Sequence, residues 1–519
     1  IRYSYNGIKK SLVLDPNEVG ITDQKINTNN KEIVICKTEV QLLNTFFNDV
    51  RNLDVDIISG WFSNEFDMQY IFNRGTKLGV DISKISRFGE AEFNKYQYYP
   101  DAAGIVFLDM LELYKSFTFG GRESYSLDFI SNLELKKGKT NKGENFSDLF
   151  RNDINKAIDY NINDVDLLEG LHEKLNHIFI QDELKKTCRN TFRGSKAAMG
   201  QLDSLIVSYL KEKGFSSKNA DVHGDESKFE GAFVQSPIVG VHDYVVDFDF
   251  TSLYPSLIIT YNIGVNTFVM KFKDTQLGYD ITYCPEKLPD KMEVFIDPLF
   301  TNKLDTITKD QLMEKIKSSN LIYTINGCFY KNHSTEISYY SEILDMLMSA
   351  RKQYKKKMFE YKMEKNKAKE QLFDSRQLIA KTLANSIYGI LGNKVYRFFN
   401  IDLARSITLS GQEAIKNVMI SAENFIKSKI NKSDIKNEYI TKQQMFSDNL
   451  GINFENLVTG DTDSVFITYK RLTSDKNSSE KNLEIVNELN KEIQFYLNNN
   501  IVKGIVNKHN VDLEKNRLE

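Results

Sequence analysis

The residues in this sequence best suited to chemistry are aspartates at the ends of apolar runs. Val245 to Phe250 is β-branched and aromatic with acids at Asp247 and Asp249, which predicts a strand reaching a wet edge. Pro255 is tolerated only in the first turn of a helix and Ser252 can cap one, so a helix is expected at once. Asp249 can then hold a hard cation while the free N–H groups of Ser252 and Leu253 face outward to receive phosphate. A triphosphate chelated to magnesium needs both in one place. A capped turn with a solvated aspartate is the bland reading of Asp-x-x-Ser, but the full run Asp249-Phe-Thr-Ser-Leu-Tyr-Pro-Ser256 is far rarer. Asp247 is read as structural.

A second pair of acids lies in Leu457-Val-Thr-Gly-Asp461-Thr-Asp463-Ser-Val-Phe-Ile-Thr, where flanking apolar runs predict a β-hairpin with carboxylates at its tip. Cations lie between the two acid stretches. Ile337 to Gln371 reads as one helix of about 50 Å, followed by a turn around Phe373 and a second, antiparallel helix through Leu391. Arg351 and Lys355 share a face of the first helix; Lys381, Asn385 and Tyr388 share one on the second. A lysine run is usually a solvated face. Two cationic stripes on facing helices can nevertheless grip a triphosphate, and a planar Arg can do so bidentately. Gly389, on the second helix, carries no side chain and leaves room beside it.

Toward the N-terminus, Ile1 to Leu14 reads as a hairpin, Val40 to Val50 as an amphipathic helix and Ile57 to Gly60 as a strand. Phe66, Tyr70 and Ile71 fall on one helical face, with Asp67 at the helix start. Ile105 to Tyr114 reads as a buried strand and Lys136 to Asn145 as a loop. In the helical run from Ile158, Tyr160 and Asp164 lie one turn apart on one face. Separated carboxylates on mixed strands and helices fit a two-metal nuclease, in which acids hold two cations that activate water.

Length and composition set the limits. A chain of 519 residues exceeds one core and predicts several domains. The net charge of −3 requires any basic groove to be local. Cys36, Cys188, Cys284 and Cys328 form no Cys-x-x-Cys pair, which excludes a zinc ribbon, leaves no disulfide framework and fits a reducing cytosol. No apolar run approaches a membrane span.

Taken in order, these stretches resemble the motifs of family B DNA polymerases, in particular the replicative ones of T-even-type bacteriophages. Asp249 to Ser256 is similar to the first polymerase motif. Lys381-Thr-Leu-Ala-Asn-Ser-Ile-Tyr-Gly389 is similar to Lys-x-x-x-Asn-Ser-x-Tyr-Gly, and Gly-Asp461-Thr-Asp463 to the third. Phe66-Asp67-Met-Gln-Tyr-Ile and Tyr160-Asn-Ile-Asn-Asp164 resemble the second and third motifs of the family's 3′–5′ exonuclease, except that Phe62 stands where members usually have Asn. Lys228 to Val234, with Gly231 permitting close approach, is similar to a segment that contacts template strand.

The resemblance implies a mixed α/β, multidomain fold: a ribonuclease-H-like exonuclease domain, then a palm interrupted by helical-hairpin fingers. The expected boundaries are 1–182 for a partial exonuclease domain, 183–215 for a helical connector, 216–334 and 397–519 for the two parts of the palm, and 335–396 for the fingers. It implies template-directed addition of dNTPs to a primer 3′-hydroxyl, with proofreading in the full-length protein. Two Mg2+ ions per site, replaceable by Mn2+, would be held by Asp249, the Phe250 carbonyl and Asp463, with Asp461 in a supporting place. Asp67 and Asp164 would be exonuclease metal ligands and Tyr160 would orient the attacking water. Arg351, Lys355, Lys381, Asn385 and Tyr388 would bind the nucleotide, and Tyr254 would exclude a 2′-hydroxyl. The expected partners are primer–template DNA, a sliding clamp and replisome proteins, in the cytoplasm of a bacterial host. An upstream Asp-x-Glu pair and a downstream thumb are not found, so the sequence reads as a fragment; the alternative is a fragment that binds nucleic acid without catalysis.

Overall fold

Residues 1–14, 31–94, 99–118, 120–139, 154–192, 198–217, 230–299, 301–435 and 437–518 are described in a computed structural model. The chain divides into two units, Ile1–Lys196 and Ala197–Glu519.

In the first unit, strands β1 (Arg2–Tyr5) and β2 (Ile8–Leu14) form the expected hairpin. Its turn is Asn6-Gly7, both residues with positive φ, the backbone that a two-residue hairpin needs. β3 (Lys31–Cys36) adds in parallel to β2. Helix α1 (Glu39–Asn52), capped by Thr38, buries Leu42, Leu43, Phe46, Phe47 and Val50 in one core with Leu12 and Cys36. β4 (Ile57–Gly60) leads into α2 (Asp67–Lys77), which buries Ile71 with Met68 and Phe72, while Phe66 and Tyr70, grouped with Ile71 by spacing, are exposed. The hairpin β5 (Ala91–Asn94) and β6 (Tyr99–Ala102) follows, then β7 (Val106–Asp109), parallel to β4. The apolar run from Ile105 does not stay extended to Tyr114. The Asp109 carboxylate accepts the Leu111 N–H at 2.9 Å and starts helix α3 (Met110–Phe117). A short apolar run suits a strand or a buried helix equally, and the cap decides. Helices α4 (Leu127–Leu135), α5 (Ile154–Leu175) and α6 (His177–Cys188) complete the unit.

The second unit opens with α7 (Ala198–Glu212), so the stretch 183–215 contains two helices. Lys228 and Phe229 lie outside the described residues. Beyond them are β8 (Val234–Gln235), β9 (Val245–Asp249) and α8 (Leu253–Thr260). An antiparallel sheet follows, containing β10 (Phe268–Phe272), β11 (Lys291–Ile296), β12 (Lys303–Thr308), β13 (Ile322–Tyr323) and β14 (Cys328–Tyr330) in the order β12-β11-β10-β14-β13. Helices α9 (Leu277–Tyr283) and α10 (Lys309–Ser319) fall between its strands.

The long helical hairpin is α11 (Tyr339–Met363) and α12 (Lys367–Leu391), each about 37 Å by the 1.5 Å rise. The break falls at Glu364–Asn366 and not at Phe373: Lys365 takes a left-handed φ of 57°, and the Asn366 side chain caps α12 through the Lys369 N–H. Phe373 instead stacks on Tyr361 at 5.4 Å and holds the two helices together. Then come α13 (Ile401–Asn431), longer than the Leu403 to Phe425 read from the sequence, and the one-turn α14 (Lys442–Met445). The hairpin β15 (Leu457–Asp461) and β16 (Ser464–Thr468) precedes α15 (Ser479–Tyr496) and α16 (Lys503–Lys508). It sits centrally in a sheet of order β8-β15-β16-β9.

Candidate active site

That sheet order brings the two polymerase-motif acids together. β16 pairs antiparallel with β9 so that Ser464 faces Asp249, and the Ser464 hydroxyl donates to the Asp249 carboxylate at 2.9 Å. The Phe250 N–H donates to the Asp463 carbonyl at 2.9 Å, which places Asp463 beside the end of β9. Thr462 turns the hairpin with a φ of 54°, and its hydroxyl donates to Asp461 at 2.8 Å. Gly460 lets α13 come close: a β-carbon there would lie 1.7 Å from the Met419 methyl, which would have to move aside. Burial pushes the Asp463 carboxyl up, and the nearby charges of Asp249, Asp461 and Asp247 push it further. Asp247 is likewise raised, by burial and by Asp249.

Repelling carboxylates of this kind are relieved by a divalent cation. Among the described residues no three His, Cys, Asp or Glu side chains are gathered closely enough to hold an ion. The donor set suits Mg2+, which is commonly held through one or two carboxylates with waters and substrate phosphates completing its shell.

Around these acids, Ser252 occupies the N-cap of α8 with a left-handed backbone (φ 53°, ψ 56°), and its side chain caps nothing. Leu253 is buried. Tyr254, one position on, lies against Tyr388 of α12 with ring centroids 4.5 Å apart. Its phenol is shifted upward by burial, then by Tyr388 and the charges of Asp463 and Asp461. Lys381 and Asn385 are exposed on the same α12 face as Tyr388, and Gly389 has open space where a β-carbon would be. On α11, Lys355 is exposed and Arg351 half-buried. Gly231 is exposed, and its carbonyl accepts from Gln412 of α13 at 2.8 Å.

In the first unit, β4 and β7 end together at Gly60 and Asp109, and ligands of α/β sheets bind beyond such strand ends. Asp67 heads α2 nearby. Its carboxyl keeps solvent access, yet surrounding protein and the charge of Asp109 push its pKa up to about 6, with Asp164 adding to the effect. Tyr160 and Asp164 do share a face of α5, and Lys139 joins them, donating to the Tyr160 hydroxyl at 2.9 Å and to Asp164 at 2.8 Å. Burial raises the Asp164 pKa, and Lys139 opposes that.

Two residues here escaped the sequence reading. Asp109 ends an apolar run and starts a helix, the same signal that marked Asp249. Lys139 meets its partners only through the tertiary fold. Asp109 also explains Phe62: its carboxylate accepts the Phe62 and Asn64 N–H groups at 3.0 and 3.1 Å, in a turn where Phe62 has a φ of 58°. Asn tolerates that backbone far better than Phe.

Comparison with known proteins agrees with the motifs. Residues 189–503 match the model of DNA polymerase family B, and residues 8–130 that of the family B exonuclease domain. The chain is similar to the DNA-directed DNA polymerase of Enterobacteria phage T4, 27% identical over 439 residues, 79% of this chain and 46% of that one. To the DNA-directed DNA polymerase of Escherichia phage RB69 it is 26% identical over 461 residues, 84% and 49% of the two chains. To the DNA polymerase delta catalytic subunit of Caenorhabditis elegans it is 26% identical over 424 residues, 76% and 34%. The chain spans under half the length of these relatives. No helix among the described residues is long and apolar enough to cross a membrane.

Proposed function

The chain belongs to DNA polymerase family B, and from that premise we propose that it performs template-directed addition of dNTPs to a primer 3′-hydroxyl. The observation that carries this reading is the Asp249–Ser464 strand pairing, which sets Asp249 and Asp463 side by side. Asp249, Asp463 and the Phe250 carbonyl would hold two Mg2+ ions, with Asp461 behind them. Bound there, the ions would lower the charge on the triphosphate and favour the ionised primer hydroxyl. The protein's own part is positioning and electrostatics, as in other phosphoryl transfers. Arg351, Lys355, Lys381 and Asn385 bind the phosphates, the turn at Ser252 and Leu253 offers backbone N–H groups to them, and Tyr254 packs under the sugar. Gly231 lies where the template strand passes.

In the whole protein, Asp67 and Asp164 would carry 3′–5′ hydrolysis with Tyr160. Primer–template DNA and dNTPs are the substrates, a sliding clamp and replisome proteins are partners, and the setting is the cytoplasm of a bacterial host.

Primer extension with magnesium tests the reading. Asp249→Ala and Asp463→Ala should each lower extension by about 10³-fold or more, while primer–template binding in a gel-shift assay changes little. Asp247→Ala should be much milder. Binding without extension by the parent chain would favour a nucleic-acid-binding role without catalysis.

A further inference from the structure

A lysine with no solvent exposure lies beneath the segment that registers the Gly-Asp-Thr-Asp turn. Lys416, on α13, is 0% exposed. Its ammonium donates to the carbonyls of Gln444, Met445 and Ser447 at 3.2, 2.7 and 3.0 Å and to the Gln412 side-chain oxygen at 3.1 Å. It also lies 4.6 Å from the centre of the Phe233 ring. The Phe233 carbonyl in turn accepts the Thr462 N–H at 3.0 Å, and the next two residues, Val234 and Gln235, pair with Asp461 and Gly460.

The same stripe of α13 holds the rest of that segment. Arg405 pairs with Glu230 at 3.1 Å, and Gln412 donates to the Gly231 carbonyl. Positions 405, 412 and 416 recur at helical spacing, so one helix face lays out residues 230–235 as a rail along which the carboxylate turn is registered. An apolar side chain at 416 would avoid the desolvation cost of a buried charge but would leave three carbonyls without their donor. What the ammonium adds is attraction to the Phe233 face, anchored from behind by three fixed carbonyls.

We propose that Lys416 is a positioning residue for the polymerase site: its ammonium fixes Phe233, and through the Phe233–Thr462 hydrogen bond and the Val234–Asp461 pairing it holds Asp461 and Asp463 in place opposite Asp249. The proposal rests on the polymerase reading above. It also has a pH signature. Burial pushes the Lys416 pKa down to about 8, opposed by Asp448 in the turn after α14. Of the other charged groups near it, Glu230 pairs with Arg405, Lys442 with Asp280 and Glu413 with His509, while Asp461 and Asp463 lie beyond the Phe233 segment. As pH rises through about 8 the ammonium is lost, and with it the hold on Phe233. Stability moves the other way. Because the folded pKa lies below that of a free lysine, the unfolded chain binds more protons between the two values, so folding becomes more favourable as pH rises across that window. A residue that served stability alone would not lower activity there.

The test is the single-turnover extension rate at saturating dNTP from about pH 6.5 to about pH 9.5, with urea unfolding in the same buffers, for the parent chain, Lys416→Arg and Lys416→Met. The parent rate should fall by about tenfold per pH unit well above pH 8 while its unfolding midpoint rises. Lys416→Arg, charged throughout, should show no such fall. Lys416→Met, which leaves the carbonyls of Gln444, Met445 and Ser447 without their donor, should unfold at lower urea yet extend slowly at every pH while folded, with unchanged dNTP KM, and it decides the matter if the arginine variant does not fold. A flat parent profile, the same alkaline fall in Lys416→Arg, or a full rate in Lys416→Met would overturn the proposal. No extension by the parent at any pH would overturn the polymerase reading, and this role with it.

Discussion

The rings of Tyr254 and Tyr388 lie 4.5 Å apart between centroids, tilted by 50°, and join the first turn of α8 to the cationic face of α12. Behind them α13 approaches so closely that a β-carbon on Gly411 would sit 3.2 Å from the Tyr254 ring. The ring is packed between Tyr388 and α13, and on the proposed reading a sugar bearing a 2′-hydroxyl would meet it. Tyr254→Ala should shift the ratio of kcat/KM for ribonucleotides over deoxyribonucleotides upward by ~10–200-fold, the range that one excluded small group is worth. Tyr388→Ala, which frees the ring without removing it, should give a smaller change of the same sign. An unchanged ratio in Tyr254→Ala would move the gate to another residue.

Lys381 and Asn385 stand exposed on that same face of α12. Loss of a charged phosphate contact is worth ~1.5–3 kcal/mol, so Lys381→Ala should raise the KM for dNTP by roughly 10- to 150-fold. Affinity for primer–template should barely move. A loss confined to DNA affinity would assign the stripe to the duplex.

Phe62 holds a bulky side chain in left-handed backbone at a φ of 58°. The conformation is imposed by the hydrogen bonds that Asp109 draws from the Phe62 and Asn64 N–H groups. Phe62→Asn keeps those bonds and relieves the strain, so the first unit should gain about 1 kcal/mol. Its urea midpoint is the measurement, and a midpoint that falls would mean that the ring's contacts outweigh the backbone.

His177 packs between Tyr114 and Phe117, with ring centroids at 6.0 and 5.5 Å. Burial pushes its pKa down to about 4. A histidine that resists protonation when folded favours the native state at neutral pH, and that contribution is lost as pH falls from about 6.5 toward 4. Acid unfolding of the first unit should therefore be shallower across this window in His177→Phe. Identical acid profiles for the two proteins would exclude the histidine as the sensor.

What could be read in the sequence depended on how local the determinant was. The strand at Val245, the hairpin tip at Asp461 and Asp463 and the paired faces of α11 and α12 each follow from neighbours a few positions apart. The turn between those helices was misplaced because Asp374-Ser375 looks like a breaker, whereas Phe373 is needed to stack on Tyr361. The true break rests on a left-handed lysine, which carries little turn signal, followed by a capping asparagine, which does. At the sites, the acids and lysines could be picked out by motif. Their supports could not: Lys139 reaches Tyr160 across 21 residues, and Lys416 reaches Ser447 across 31.

The hydrogen bond from Ser464 to Asp249 closes a loop of 215 residues. By the logarithmic rule for loop closure, joining these strands costs about 3 kcal/mol more than closing a tight hairpin, a cost that contacts elsewhere in the second unit offset. During synthesis, a ribosome releases Asp249 long before Asp463. A nascent chain therefore cannot form the Asp249–Ser464 pairing, or bring Asp463 beside Asp249, until β16 has left the exit tunnel and docked.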